Sequence, residues 1–346
     1  EDSDRDFRTL RAQLLWEPND DLDFTFIADY TRRDENCCVG VTTVRGLTAN
    51  ILDALAGGAG RAIIPVADPE RRLAYSNRGT DQSVLDKGFS TQIDWNTPWF
   101  NGATLTSITA ARDWQSVNAL DFDFSGADLL YRRNNFDDSS TKFKTFSQEL
   151  RLTGSTDKLD WMLGFFYSDE DLERHDQYMI GRHYETYLST ALLSLFARQL
   201  APLGITVNTT NPFLFASQAT GRPLGTVFPG DTEGAHDTYN QNAKTAALFT
   251  NNTWHATDQL AITLGLRYTH EKKELDSVYT NPNGSLGCAT ALGTPARVVG
   301  ALMARGIPQA VAQQLAPTAI GYMCLPWANV AHNGRHTQQD RSESEW

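Results

Sequence analysis

Four cysteines and seven histidines hold the chain's capacity for metal, redox or nucleophilic chemistry. Such chemistry needs ligands that converge at tight spacing, as in paired cysteines or two histidines one helical turn apart. Cys37 and Cys38 are adjacent, which leaves a vicinal bridge, pairing elsewhere and free thiols all open. Cys288 and Cys324 flank one loop-like region and suit a disulfide closing it in an oxidising compartment; two unrelated free thiols are the alternative. The histidines are scattered. His175 and His183 share one segment, and His332 and His336 stand at i, i+4 with Asn333-Gly334 between them, which reads as a turn rather than a helix. Gly58-Ala59-Gly60 follows no strand and opens no phosphate-binding helix, and the G-x-S-x-G pattern is absent. No catalytic residue, metal site or cofactor is expected, and the chain does not read as an enzyme.

The elements that would carry these residues follow a period of two. Leu10, Ala12, Leu14 and Trp16 alternate with Thr9, Arg11 and Gln13. After the turn residues 17–21, Leu22, Phe24, Phe26, Ala28 and Tyr30 alternate with Asp23, Thr25, Ile27 and Asp29. Strict alternation on both sides of a short turn predicts a β-hairpin, and a 3.6-residue stripe fits neither segment. The pattern recurs to give four hairpins, at about 7–33, 86–123, 142–178 and 238–276. In 103–123 and 238–254 both faces are mixed, and neither can be assigned outward. Long connections separate the hairpins, at about 34–85, 124–141, 179–237 and 277–334. Within them Tyr187 to Leu200 and Arg297 to Leu315 read as helices, the second interrupted at Gly306-Ile307-Pro308.

Structureless connections of this length argue against an ordinary compact domain. Short turns at one end and long loops at the other are the pattern of outer-membrane barrels, whose short side is periplasmic and whose long loops are extracellular. Trp16, Trp95, Trp99, Phe100, Trp161 and Trp254 all lie within a few residues of a short turn. Tryptophan collects at membrane–water interfaces, so these positions predict an aromatic girdle. The alternating polar residues Arg11, Gln13, Asp23, Asp29, Gln92, Asp94, Glu149, Arg151, Asp160 and Arg267 then point inward, where charge ladders between neighbouring strands would hold most of them.

Composition agrees. A net charge of −12 argues against a nucleic-acid partner. A mean hydropathy of −0.41 excludes helical membrane spans, which need about 20 apolar residues each. It does not count against a barrel, whose strands cross in about 10 alternating residues. The chain starts without a signal peptide and ends in what reads as the approach to another strand, so it is expected to be a fragment.

The run Phe146-Ser147-Gln148-Glu149-Leu150-Arg151-Leu152-Thr153-Gly154, followed by Leu159-Asp160-Trp161-Met162-Leu163-Gly164-Phe165-Phe166-Tyr167, resembles a barrel hairpin of TonB-dependent outer-membrane receptors. So does Leu260-Ala261-Ile262-Thr263-Leu264-Gly265-Leu266-Arg267-Tyr268-Thr269, and Ser342-Glu343-Ser344-Glu345-Trp346 is similar to the start of the strand that follows. The resemblance implies an all-β transmembrane barrel of about 22 antiparallel strands around a plug. About eight strands of it would lie in residues 1–346, the plug being absent. It also implies a Gram-negative outer-membrane receptor, coupled through that plug to the TonB–ExbB–ExbD complex, importing a small molecule such as an iron–siderophore complex. The alternative is a porin-like or adhesive β-protein without TonB coupling.

Overall fold

The computed structural model describes residues 4–63, 68–227, 230–281, 286–324 and 333–346. Nine long strands form one antiparallel meander. β1 (Asp6–Asn19) and β2 (Leu22–Asn36) make the first hairpin, and β3 (Asp81–Asn96) and β4 (Thr104–Asn118) the second. Two short strands, β5 (Leu120–Asp121) and β6 (Leu130–Arg132), sit in the next connection. Then come β7 (Ser140–Thr156) with β8 (Leu159–Ile180), β9 (Thr232–Thr257) with β10 (Leu260–Thr280), and β11 (Arg335–Glu345). Each long strand pairs with its neighbour in sequence, leaving β1 and β11 as the edges of an open sheet.

The pairing register decides what alternation left open. Phe89 pairs with Ala111, Thr91 with Thr109, Ile93 with Ser107 and Trp95 with Leu105, so these β4 residues share the face of Phe24 and Phe26. Likewise Trp254 faces Ile262, Asn252 faces Leu264 and Leu248 faces Tyr268. Directly paired residues lie on one side of a sheet. One apolar face therefore runs unbroken from β1 to β10, carrying a few polar side chains that bond to each other: Thr109 Oγ1 donates to Gln148, and Gln148 Nε2 to Ser107 at 3.0 Å. Leu10 is 71% exposed on this face and Leu264 72%. A contiguous apolar surface of this extent marks contact with a membrane or another protein.

The strands run further than the hairpin boundaries read from the sequence. Asn36 still pairs with Asp81, and Thr280 with His236, because ladder hydrogen bonds continue after the apolar alternation has ended. β8 has 22 residues and β9 has 26. About 10 suffice to cross a bilayer. The connection expected at 124–141 is partly strand, since β6 pairs with both β5 and the top of β8.

The other connections hold helices. The first expected helix starts earlier, as α2 (Tyr184–Leu200); the second is split by Gly306, at φ +87°, into α5 (Pro295–Met303) and α6 (Gln309–Met323). α1 (Ala49–Leu55), α3 (Phe213–Ala219) and α4 (Leu286–Gly293) were not legible in the sequence. None of the helices among the described residues is long and apolar enough to cross a membrane. Apolar side chains of α2 to α6, with Ile307 between α5 and α6, make the largest buried cluster among the described residues, centred on Leu193, Phe196, Phe215, Val298, Leu302 and Ile307. That core joins the helical segments within 184–219 and 286–323 into one cap.

Candidate functional site

The polar face of the sheet carries ladders of paired charge. Arg112 donates to Asp29 at 2.9 Å and to Asp86 at 2.6 Å, bridging from β4 across β3 to β2. Gly88 lies beneath the guanidinium, where a Cβ would stand 2.6 Å from Nη2, so any side chain there would displace the Arg112 head group. Gln92 donates to Asp94 at 2.7 Å and Thr106 to Asp94 at 2.6 Å; Arg151 pairs with Glu149 at 3.0 Å and His255 with Asp160 at 2.7 Å. Arg11 stands opposite Asp29, Gln13 opposite Ile27, and Asp23 opposite Asp94. Arg267 lies over Phe166 and Phe249, 5.6 and 5.5 Å from their ring centres, and its Nε donates to Thr269.

Trp16, Trp95, Trp99, Trp161 and Trp254 are at the short-turn end of the sheet. Trp16 stacks on Phe24 at 5.0 Å, Trp95 meets Trp99 edge-on at 5.1 Å, and Phe100 meets Trp161 edge-on at 5.8 Å. Trp16, Trp99 and Trp254 remain about half exposed.

At the opposite end, residues far apart in sequence form a junction. Arg78 donates through Nε and Nη2 to both oxygens of Asp128, each at 2.9 Å, and through Nη2 to Asp231 at 2.7 Å. Its guanidinium lies 3.8 Å from the ring centre of Tyr131, whose hydroxyl also donates to Asp231. Fork-shaped pairing of this kind fixes geometry as well as charge. The Tyr131 hydroxyl and then Arg78 hold the Asp231 carboxyl below its usual range. His183 accepts the Asp128 backbone N–H through Nδ1, and burial, then Arg182, keep its pKa low, consistent with a neutral ring. A cleft of about 380 Å³ opens beside the junction, lined by Arg78, Tyr131, Arg132, Arg133 and Asp231 among others. At Asp53, burial would raise the carboxyl, but hydrogen bonds from Arg45 and the backbone of Gly60, Ala62 and Ile63 hold it well below the usual range.

Asp121, fully buried, and Asp123, half-buried, form a pair beside the junction. Asp121 accepts from Ser76 and the Asn77 N–H, and Asp123 from the N–H groups of Leu129 and Leu130. Burial, then the charge of Asp121, raise Asp123 to about 7. An unfolded aspartate titrates near 4. Between about pH 4 and about pH 7 the opened segment has therefore released a proton that the folded one keeps. Its stability is full below that window and falls as pH rises through it. Amide exchange across 119–132 should be slower at pH 5 than at pH 8 after correction for intrinsic rates, and Asp123→Asn should flatten the difference; an unchanged pH slope in that variant would count against it.

Two disulfides complete the upper region. Cys288 and Cys324 are bridged, with Cα atoms 4.8 Å apart, tying α4 to the end of α6 inside the cap. Cys37 and Cys38 bridge each other just beyond β2, where the Cys37 N–H bonds to the Thr80 carbonyl. Among the described residues no group of three or more His, Cys, Asp or Glu side chains is placed to hold a metal. His332 lies outside them, and His336 pairs with Asp276 on β10. Sequence reasoning missed Arg78, Asp128, Tyr131 and Asp231, whose separations along the chain reach 153 residues. No local pattern marks them.

Neither a family model nor a curated protein sequence matches the chain. Among solved structures it is similar to the ferric yersiniabactin uptake receptor FyuA from Yersinia pestis, with a TM-score of 0.52 and 11% identity over 99% of this chain. The match covers 34% of that receptor, so the chain spans about a third of its length. At this identity the likeness is one of fold: the sheet and its loops are arranged as in a β-barrel uptake receptor.

Proposed function

We propose that residues 1–346 are part of the transmembrane barrel of a TonB-dependent outer-membrane receptor, which takes up an iron–siderophore complex or a similarly scarce nutrient. The observation that carries this reading is the unbroken apolar face, bounded by tryptophans at the short-turn end and by a charged, helical loop region at the other. The tryptophans form the periplasmic girdle and anchor the wall in outer-membrane lipid. The four hairpins span the bilayer, and the 37–80, 119–139, 181–231 and 281–334 connections lie outside the cell and meet the small-molecule ligand. Further strands of the parent protein pair with β1 and β11, since an open edge is not tolerated in hydrocarbon. A plug region elsewhere in the parent couples it to TonB–ExbB–ExbD. The fold likeness to an uptake receptor supports the assignment.

The test is uptake of radiolabelled ferric siderophores by cells with and without the parent gene. Loss of uptake of one chelate, reproduced by removing TonB, is the expected result. Unchanged uptake of every iron chelate would exclude iron as the cargo, and transport that persists without TonB would exclude energy coupling.

A further inference from the structure

High on β8 and β9, three side-chain polar atoms on one face of the ladder, His175 Nδ1, Gln177 Oε1 and His236 Nε2, are buried without a hydrogen-bond partner. His175 Nε2 lies 2.9 Å from Glu173 Oε1, and His236 Nδ1 lies 3.3 Å from Glu233 Oε1. An ionised carboxylate only accepts, so each of these ring nitrogens carries the hydrogen. In the neutral form of each ring, the form that ligates a metal, the other nitrogen, Nδ1 of His175 and Nε2 of His236, is a bare lone pair. Both are buried and have no hydrogen-bond partner. The two rings are 6.0 Å apart, centre to centre. Gln177 pairs directly with His236 in the β8–β9 register and is only 2% exposed. Its Nε2 donates to Glu233 at 3.1 Å, while its Oε1 is buried and unpartnered.

Buried polar atoms without a hydrogen-bond partner are costly and rare in a folded protein. Two imidazoles, each oriented by a carboxylate on its far nitrogen, are the arrangement that fixes metal-binding histidines in the required tautomer. We propose that His175 and His236, with the Gln177 amide oxygen, bind a late divalent transition-metal ion such as Cu²⁺ or Zn²⁺, water supplying the remaining ligands. Imidazole nitrogens favour these ions over Mg²⁺ or Ca²⁺. The inference does not rest on the transport reading. His175 and Gln177 continue the β8 face of Trp161, Leu163, Phe165 and Tyr167, the side opposite Arg267, so the ion staples the two longest strands and is not cargo in a lumen.

The test uses the detergent-solubilised parent protein, stripped with chelator and titrated with Cu²⁺ alone. One equivalent is expected, with the electron paramagnetic resonance signature of two imidazole nitrogens. His175→Ala and His236→Ala should each weaken it at least about tenfold, and Glu173→Gln, which leaves both ligands in place, by about 10- to 100-fold. His336→Ala should change nothing. Heat-modifiable migration on gels confirms that each variant is folded. A signal unchanged in the folded double variant His175→Ala/His236→Ala, or no equivalent bound below millimolar Cu²⁺, overturns the proposal.

Discussion

On the proposed barrel reading, Leu264→Arg destabilises the membrane-inserted protein by about 2–4 kcal/mol, whereas arginine at the adjacent Thr263 should be tolerated. Leu264 lies near the middle of the apolar stretch of β10 and is 72% exposed on the face shared with Trp254 and Leu248. A cation near the bilayer midplane costs about this much on the lipid side of a barrel, and much less on the lumen side. Thr263 points the other way, its hydroxyl 2.9 Å from that of Thr253. The experiment is refolding of the parent protein into lipid vesicles across a denaturant series, with the heat-modifiable band as the readout of insertion. Equal losses from the two substitutions would show that the apolar face does not meet lipid, and the barrel assignment would fall with it.

Phe196→Ala should unfold the cap and spare the wall. Phe196 is fully buried between the two long connections, packed among side chains of α2, α3, α5 and α6. Truncating a buried phenylalanine costs about 3–5 kcal/mol, a large share of what so small a core can supply. The Cys288–Cys324 bridge closes a loop of 36 positions, which limits the unfolded cap by about 3–4 kcal/mol of chain entropy. The defect should therefore deepen under reducing conditions. Limited proteolysis checks it: new cuts are expected within 184–227 and 286–324, with β8, β9 and β10 left intact. Ligand capture by the parent protein should fall in parallel if the cap forms part of the extracellular binding surface. Resistance equal to that of the parent would show that the cap does not depend on this core.

The wall was readable from the chain because alternation is local. Leu22, Phe24, Phe26 and Ala28 report their side of β2 without reference to any other strand, and turns such as Asp157-Lys158 are marked by their own residues. The mixed strands were not readable, because Thr109, Gln148, Thr250 and Asn252 satisfy one another on the apolar face and so mask it. Residue identity alone cannot say that a glutamine has found two hydroxyl partners on the neighbouring strand.

The same division holds for the reactive side chains. Sequence by itself determined the hairpin rhythm, the tryptophans gathered at one end, and the break between α5 and α6, all encoded within a few consecutive residues. Tertiary structure alone decided three things. Cys37 and Cys38 bridge each other; Arg78 reaches Asp128 and Asp231; and two apparently scattered histidines, His175 and His236, stand 6.0 Å apart. Bringing His175 and His236, 61 residues apart in the chain, close together on neighbouring strands is a matter of register. Register is set by the sum of many ladder and packing contacts, so no single stretch of the sequence records it.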